Sequence, residues 1–518
     1  MNLLTDPILR IEKPGEMLSL DLPTLLEALG SEDVMGFAGL QRHQEDALHV
    51  FLSSLAAAIL ARGGSAKPMH DADFWRRGLR DLAGDARDDA WCLVVDDLSR
   101  PAFMQPPLPK ADHQRLKPLA RTPDGLDLLP TARNHDIKQS RSLRARADAW
   151  FYALVSLQTM SGQYGRGQPG ISRMNTGYGN RSVVEMIRDP APGPRWRDAV
   201  ERLLLHRRQI LEEPFGFDAQ GLVLVWLEPW DGSQGISLSL LDPLYIEICR
   251  RVRLIRDEHG MSAANTTAEA PRIDAKRMRG VVGDGWLPID LGKRGRGEGQ
   301  EEKALTFSAQ GITPEHLRRL VFGDGVRLTP LQLPGSGWHE RAWLRVSVLI
   351  RGQGTTDGFH EQSVLLPRKI QRRLFGSPGA RDCLADLSRT AIEYAGVMQN
   401  RVLKPSSFTY LQAGPETLDF DQDAAKSAWE RFARSFANRW SVEFFPWLWS
   451  VPEEFDEEEV LEAWALRLRD HALEILKELQ ASVAIHTGRR YRAAASAERV
   501  FWGALYNRFP LLGRGGDT

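Results

Sequence analysis

The spacing of hydrophobic positions changes about two thirds of the way along the chain. Before about residue 368, short apolar runs bounded by Gly and Pro alternate with helical stretches, and runs such as "RAWLRVSVLIRGQG" and "SVLLPRK" predict strands. Apolar residues at helical spacing predict helices over 44–62 and 146–161. The pattern predicts an α+β fold, with a large mixed α/β domain over residues 1–368.

After residue 369, apolar residues recur every three or four positions, which is the period of an amphipathic helix. The segments that show this period are "ARDCLADLSRTAIEYAGVM", "AAKSAWERFARSFANRW", "EEEVLEAWALRLRDHALEILKEL" and "AERVFWGALYNRF". Breaks that contain Pro and Gly separate these segments, a layout typical of helix bundles. We therefore predict a C-terminal four-helix bundle over residues 369–518.

Composition and charge restrict the function. A chain of 518 residues exceeds what one hydrophobic core usually supports, and its 67 Lys and Arg against 68 Asp and Glu exclude a uniformly basic nucleic-acid binder. Cys92, Cys249 and Cys383 lie far apart, which argues against a disulfide framework and fits a reducing cytoplasm. The sequence lacks the run of about 20 apolar residues that a membrane span needs, so we expect neither secretion nor insertion.

The sequence offers few candidates for catalysis. The string "GRGQPG" matches GxGxxG by letter, but it follows a predicted helix and has Pro169 where a phosphate-binding helix should begin. The string "LVVDD" could place Asp96 and Asp97 at the end of a strand, as a two-metal nuclease requires, yet no further acid or histidine cluster joins them. We therefore predict no catalytic residue, no metal and no cofactor. A metal-dependent nuclease remains an alternative.

A basic segment, "TARNHDIKQSRSLRARADAWF", spans residues 131–151 and precedes an apolar helix. Arginine offers planar paired donors to phosphate oxygens, and the neutral polar side chains of this segment add further hydrogen bonds. The segment could therefore hold a nucleic-acid strand. A solvated loop fits its composition equally well.

Further polar segments could also contact nucleic acid. The glycine-rich segment 161–180 lets backbone N–H groups approach a phosphate closely, and Arg166 and Arg173 supply charge. In "RIDAKRMRGVVGDGWLP", which begins at Arg272, cations at 277 and 279 would share one face of an extended strand. The segment 351–362, "RGQGTTDGFHEQ", could form a hairpin tip that enters a minor groove. Surface loops, a solvated strand edge and an ordinary hairpin turn are the alternatives.

These segments, in this order, resemble the CasA family, the large subunit of the type I-E Cascade CRISPR surveillance complex. The resemblance runs over nearly the whole chain and includes "RPAFMQ" and "LLDPLYIEICRRVRL"; "NLLTDP" and "GQGTTDGFHE" are its most specific parts. It implies a non-enzymatic subunit that recognises the PAM in double-stranded DNA, promotes duplex opening for guide RNA pairing and recruits the helicase-nuclease. A structural adaptor of a ribonucleoprotein without DNA readout is the alternative.

The resemblance also implies roles for particular residues. The family's loop near the guide RNA handle corresponds to 131–147, with the candidates Arg133, Asn134, His135, Asp136, Ile137, Lys138 and Arg141. The glycine-rich PAM loop corresponds to 162–170, with the candidates Gly162, Gly165 and Gly167. The lysine finger falls on Lys276 or Arg277. The wedge that separates the first base pair corresponds to Gly354, Thr355, Thr356, Asp357 and Gly358.

This sequence departs from the family at two places. Family members carry amide side chains at the wedge, whereas Thr-Thr-Asp here places a carboxylate beside phosphates. Some members have a cysteine cluster of which only Cys249 is present here, so no zinc is predicted. The implied partners are the backbone, small and handle-binding Cascade subunits, the CRISPR guide RNA, double-stranded target DNA and the helicase-nuclease, all in the cytoplasm and without a membrane.

Overall fold

The computed structural model describes residues 1–31, 34–127, 145–175, 180–292, 301–335, 338, 340–351, 356–376, 378–485 and 487–512. The chain forms two compact units. The first consists of Met1–Ile312 and Gly323–Pro367, and the second of Thr313–Phe322 and Arg368–Thr518. In the described part of the chain, no helix is long and apolar enough to cross a membrane.

The strands of the first unit are short and belong to several small sheets. They are β1 Leu9–Lys13, β2 Glu16–Leu20, β3 Gly36–Phe37, β4 Lys117–Ala120, β5 Val183–Ile187, β6 Leu222–Leu224, β7 Leu241–Ile246, β8 Arg251–Asp257, β9 Gly260–Thr266, β10 Ile289–Asp290, β11 Lys303–Ala304, β12 Val326–Arg327, β13 Ala342–Arg351 and β14 Thr356–Leu366. The sheet orders are β2-β1-β3, β4-β9-β8, β14-β13-β5, β11-β10-β12 and β6-β7.

The helices of the first unit are α1 Leu22–Ser31, α2 Arg42–Arg62, α3 Ala72–Ala83, α4 Lys110–His113, α5 Pro123–Leu126, α6 Ala147–Met160 and α7 Pro192–Glu212. Single 3₁₀ turns include Lys276–Met278. The helices predicted over 44–62 and 146–161 are confirmed as α2 and α6, and the mixed α+β fold is confirmed with them.

Helix α2 lies at the centre of the first unit. It is buried on nearly all sides from Ala47 to Leu60 and packs against α6 and α7, as expected for a helix that is apolar all round. The Phe51 ring lies 5.7 Å from the Phe103 ring and 6.0 Å from the Phe151 ring, measured between centroids. This aromatic cluster joins α2 to α6, the helix that precedes the glycine-rich segment.

Strands β13 and β14 form the predicted hairpin. Their antiparallel pairing runs from Ala342 opposite Leu366 to Ile350 opposite Gly358, and β5 pairs with the other edge of β13. The strand predictions for "RAWLRVSVLIRGQG" and "SVLLPRK" are confirmed. Both edges of β13 are therefore hydrogen-bonded, which makes it the central strand of this sheet.

The second unit is helical. Its helices are α8 Pro314–Phe322, α9 Arg368–Gly376, α10 Pro378–Val397, α11 Lys404–Leu411, α12 Asp423–Ser450, α13 Glu457–Ser482 and α14 Thr487–Arg508, with a π-helical turn over Met398–Leu403. The segments predicted as bundle helices lie in α10, α12, α13 and α14, so the helical C-terminal region is confirmed.

Two features explain the packing and the boundaries of these helices. Trp447 of α12 stacks on Trp464 of α13 at 4.4 Å between centroids, and the Trp464 indole donates to the Ala391 carbonyl at 2.9 Å. The Asp456 carboxylate accepts the Glu459 N–H at 3.0 Å and caps the acidic first turn of α13. Carboxylates there stabilise the positive end of the helix dipole.

Candidate nucleic-acid interface

The glycine-rich loop 162–170 begins where α6 ends. Ser161 is extended after the last helical residue, and the loop closes on itself through a hydrogen bond from Tyr164 N to Gln168 O at 3.0 Å. Gly165 and Gly167 have φ values of +96° and +77°, which residues with a Cβ rarely adopt. The backbone of this loop can therefore approach a ligand without side-chain obstruction at these two glycines.

The structure places this loop beside the segment that carries the predicted lysine finger. Gly167 O accepts a hydrogen bond from Ala268 N at 2.9 Å, and a Cβ at Gly167 would lie 2.8 Å from Thr267. The two segments enclose a cavity of about 160 Å³, whose lining includes Gly162, Gly165, Gly167, Pro169, Ile273 and Lys276. The predicted glycines and Lys276, which lie far apart in the sequence, thus share one concave surface.

Lys276 begins the 3₁₀ turn Lys276–Met278, and its side chain is exposed. The extended strand predicted here is wrong, because hydrogen bonds from Met278 to Ala275 and from Val281 to Met278 close successive turns instead. A 3₁₀ turn directs consecutive side chains in different directions. Arg277 is also exposed, but it is not among the described residues that line the cavity. Of the two candidates for the lysine finger, Lys276 is the one that lines this cavity.

Arg173, which was predicted to supply charge, and Arg272, which begins the segment of the predicted lysine finger, are both buried. Arg173 donates to the Tyr245 carbonyl at 2.9 Å and lies 3.8 Å above the Tyr245 ring. Arg272 donates to the backbone carbonyls of residues 225, 228 and 229 at 2.7 to 3.1 Å. Neither cation faces a phosphate-binding surface, because both side chains are buried and donate to backbone carbonyls inside the protein.

Sequence reasoning missed Glu269, which also lines the cavity and is exposed. A carboxylate there accepts hydrogen bonds and repels phosphates. Its sequence context, "TTAEAPR", is an ordinary polar loop, so no local signal distinguishes it.

The hairpin of β13 and β14 leads to the predicted wedge. Gly354 and Thr355 lie outside the described residues, whereas Thr356 and Asp357 begin β14. The register shifts after Ile350, so Asp357 is the extra residue of a β-bulge. Gly358, opposite Ile350, has a φ of +111°. A bulge increases the local twist and bends the end of the hairpin.

The glycine-rich segment also joins the hairpin sheet. Asn180 N donates to Leu349 O at 3.0 Å, one residue before the last regular pair of the hairpin. β5 follows at Val183 and pairs with β13. The glycine-rich segment 161–180 therefore ends beside the last regular pair of the hairpin.

Ion pairs and hydrogen bonds connect the hairpin to the central helix α2. The Asp46 carboxylate of α2 accepts hydrogen bonds from Arg345 at 2.5 Å, Ser347 at 2.5 Å and Arg195 at 2.9 Å. Burial alone would raise the pKa of Asp46, but the guanidiniums of Arg345 and Arg195 hold it well below its usual range. These pairs tie the hairpin strand β13 to the central helix α2. We call Asp46, Arg195, Arg345 and Ser347 the Asp46 network.

The guide-handle candidates Arg133, Asn134, His135, Asp136, Ile137, Lys138 and Arg141 lie outside the described residues. Both flanks of this segment are described. On one side, His43 Nε2 lies 2.7 Å from the buried Asp127 carboxylate. On the other side, Arg10 Nε donates to the Asp148 carboxylate in the first turn of α6 at 2.5 Å. Both flanks are thus anchored to the first unit.

The acids considered for a nuclease do not end a strand. Residues 93–97 form a loop, so the strand predicted for "LVVDD" is wrong. The Asp97 carboxylate accepts the Ser99 hydroxyl at 2.5 Å and the Ser99 N–H at 2.9 Å, and these hydrogen bonds hold the pKa of Asp97 below its usual value. Among the described residues, no group of three or more His, Cys, Asp or Glu side chains is placed to hold a metal ion.

The chain combines a mixed α/β unit with a helical unit, and solved structures with a similar fold include CRISPR-associated proteins. The chain is similar to CasA from Thermus thermophilus at 16% identity and a TM-score of 0.61, covering 98% of this chain and 99% of that chain. It is also similar to Cse1 from Acidimicrobium ferrooxidans at 16% identity, with a TM-score of 0.61 and 98% coverage of both chains.

A third similar structure is Cse1 from Thermobifida fusca, at 15% identity and a TM-score of 0.59, covering 99% of this chain and 98% of that chain. No protein-family model matches the sequence, and no curated protein matches it. The chain has the CasA/Cse1 fold over nearly its full length, which confirms the fold implied by the resemblance in the sequence.

Proposed function

We propose that this chain is the large subunit of a type I-E Cascade complex in antiviral defence. In this proposal it recognises the PAM in double-stranded DNA, promotes duplex opening for guide RNA pairing and recruits the helicase-nuclease, without catalysing a reaction itself. Residues 1–368 carry the PAM and guide-handle contacts, and residues 369–518 form the bundle. The observation that carries the proposal is the cavity shared by the glycine loop and Lys276 on a chain with the CasA fold.

The cavity suits the edge of a duplex groove. Lys276 brings a flexible cationic donor, and the glycines allow the backbone to approach closely. In the minor groove, A·T and T·A pairs both present only acceptors, so a lysine there reads a degenerate code. PAM selection by this subunit is therefore permissive, and it depends partly on the shape of the groove.

In this proposal, the hairpin of β13 and β14 opens the duplex. Insertion of its tip would unstack one base step at a cost of a few kcal/mol, which guide pairing offsets as it begins alongside. The partners in this proposal are the other Cascade subunits, the CRISPR guide RNA, the target duplex and the helicase-nuclease in the cytoplasm. The sequence of the target is then read by the guide RNA and only its flank by this protein.

The decisive test uses a guide RNA complex assembled without this subunit, to which the purified protein is added. Binding is measured to duplex targets with a randomised flank. Lys276→Ala is expected to weaken binding to preferred flanks by about 1–3 kcal/mol, or about 5- to 150-fold, and to flatten the preference. Arg277→Ala is the matched control, because it removes an adjacent exposed cation outside the cavity lining, and we expect the wild-type flank profile.

The other outcomes of this test are equally informative. If the protein joins the complex but the wild type selects no flank, it is a structural adaptor and the PAM assignment is wrong. If it does not join a type I-E complex at all, the assignment to Cascade is wrong.

Glu269→Gln is expected to tighten binding of target duplex by about 0.5–1 kcal/mol at low salt, which is about two- to fivefold in Kd. The reason is that a carboxylate in the cavity repels the phosphates that flank a bound groove. Titration at increasing salt checks this, because the gain should shrink as ions screen the repulsion. Glu258→Gln is the control, because Glu258 is an exposed acid in the turn that precedes β9. Equal tightening of duplex binding in both variants would contradict a local effect of Glu269.

A further inference from the structure

The neck of the glycine loop is closed by one buried side chain. Arg250, which precedes β8, donates from Nη2 to Gly162 O at 2.8 Å and from Nη1 to Pro169 O. These carbonyls belong to the two ends of the loop 162–170. The planar fork of a guanidinium can bond two acceptors at once in a fixed geometry, so it sets the separation of the two ends.

The backbone packs tightly at the same neck. A Cβ added at Gly170 would lie 2.6 Å from Gln163 N and 2.7 Å from the Gly162 carbonyl carbon. The two ends of the loop therefore touch through backbone atoms, and Gly170 permits this contact. The shape of the cavity wall depends on this closure, because Gly162, Pro169 and Gly170 all line the cavity.

Arg250 is itself held in a defined position. The amide of Gln158, a fully buried residue of α6, accepts Arg250 N at 2.8 Å and donates to Arg250 O at 3.0 Å. The same amide donates to Met104 O at 2.8 Å and accepts Cys249 N at 3.0 Å. Every hydrogen-bonding position of this amide is used, so Gln158 fixes the backbone that presents the Arg250 guanidinium.

The role of Arg250 differs from that of an ordinary core arginine. It is 6% exposed, and within the described part of the chain its guanidinium bonds only backbone carbonyls. Arg253 in β8 is also buried and bonds only carbonyls, those of Val95, Arg100 and Pro106. None of these carbonyls belongs to a residue that lines the cavity.

We propose that Arg250 is the positioning residue of the glycine loop, and that it determines flank selectivity by holding the two ends of the loop at the separation that shapes the cavity with Lys276. This inference rests on the proposed function for its DNA readout. Its structural part, closure of the neck, stands on the contacts of Arg250 alone.

The test compares Arg250→Lys with Arg253→Lys in the full chain. Lysine keeps the positive charge but cannot hold both loop carbonyls in the fork geometry, so the comparison isolates geometry from charge. Hydrogen–deuterium exchange of the loop is measured first, without DNA. We expect faster exchange at the amides of Tyr164 and Gln168 in Arg250→Lys only, because their hydrogen bonds close the loop.

The second measurement is binding of the assembled guide complex to randomised flanks. Arg250→Lys is expected to lose about tenfold or more in affinity for preferred flanks and to flatten the flank profile, whereas Arg253→Lys stays within about twofold of the wild type. Assembly into the complex should be unchanged in both variants. A role in stability alone would lower the thermal stability of both variants and leave the flank profile intact.

Gly170→Ala gives an independent route to the same change, because its methyl group must separate the two ends of the loop. It is expected to reproduce the exchange and flank profile of Arg250→Lys. Wild-type exchange in both Arg250→Lys and Gly170→Ala would overturn the positioning role. If the wild-type complex shows no flank preference, the proposed function fails, and faster loop exchange in Arg250→Lys would still support closure by Arg250.

Discussion

Replacing Asp46 with Ala is expected to lower the free energy of unfolding of the first unit by about 3 kcal/mol. The substitution leaves the buried guanidinium of Arg345 and the partly buried guanidinium of Arg195 without the carboxylate they share. Breaking a buried ion pair by removing one partner costs about 3–5 kcal/mol. The lower end applies because Glu361 and Glu185 still contact these arginines. Hydrogen–deuterium exchange of the α2 and β13 amides, measured at increasing urea concentration, reports the free energy of unfolding of this unit alone.

Asp73→Ala is the matched control for this prediction. Asp73 pairs with Arg76 on the surface of α3 at 2.6 Å, and exposed pairs contribute about 0–1 kcal/mol. The same substitution should therefore have a small effect at this position. If Asp46→Ala unfolds at the same urea concentration as Asp73→Ala, the Asp46 network does not stabilise the hairpin sheet.

Lowering the pH from about 6.5 to about 4 is expected to destabilise the first unit through His49. Burial first, and then the Arg195 charge, lower the pKa of His49 to about 4, against about 6.5 in an unfolded chain. Between these values the unfolded state binds a proton that the folded state does not, so stability is lost as the pH falls. The full loss is about 3 kcal/mol, at about 1.4 kcal/mol per pKa unit.

Denaturant unfolding at several pH values, with wild type beside His49→Gln, checks this expectation. The groups that face His49 are Glu185 at 3.3 Å, Arg195, Asp46 and the Trp286 ring. The pKa values of Glu185 and Asp46 are held low, so these acids should begin to destabilise the fold only at more acidic pH. The difference between the two proteins should therefore shrink as the pH falls towards 4.

His259→Gln is the control, because His259 is exposed in the turn between β8 and β9. We expect it to follow the wild-type profile of stability against pH. Parallel profiles for wild type and His49→Gln would show that another group causes any loss of stability in this range.

The long helices of the second unit could be predicted because each buries one stripe of apolar residues at a regular period. Helix α11 was not predicted, and the reason is chemical. Ser406 and Thr409 are buried there, and their hydroxyls donate to the carbonyls of Val402 and Pro405 at 2.6 and 2.8 Å. Buried Ser and Thr residues whose hydroxyls bond to their own helix interrupt the apolar pattern, so hydrophobic periodicity does not predict such a helix.

The sequence also does not show which groups a charged side chain contacts. Arginines in a polar, glycine-rich segment suggested a surface for phosphates, yet Arg173 and Arg272 are buried against carbonyls and a ring. A guanidinium is equally compatible with water, phosphate and backbone oxygen, so its identity alone does not indicate which of these it faces. Glu269 also lines the cavity, and no feature of its local sequence indicated this position.

The sequence alone determined the change from a mixed domain to helices, the hairpin and the glycine-rich loop, because these depend on local periodicity and on the conformational freedom of glycine. It also carried the resemblance to the CasA family, which the fold supports. Only the tertiary structure decided that the glycine loop and Lys276 share a cavity, that Arg250 closes the neck of the loop and that Asp46 supports the hairpin. Such contacts join residues far apart in the chain, and burial, rather than local pattern, selects which charges pair.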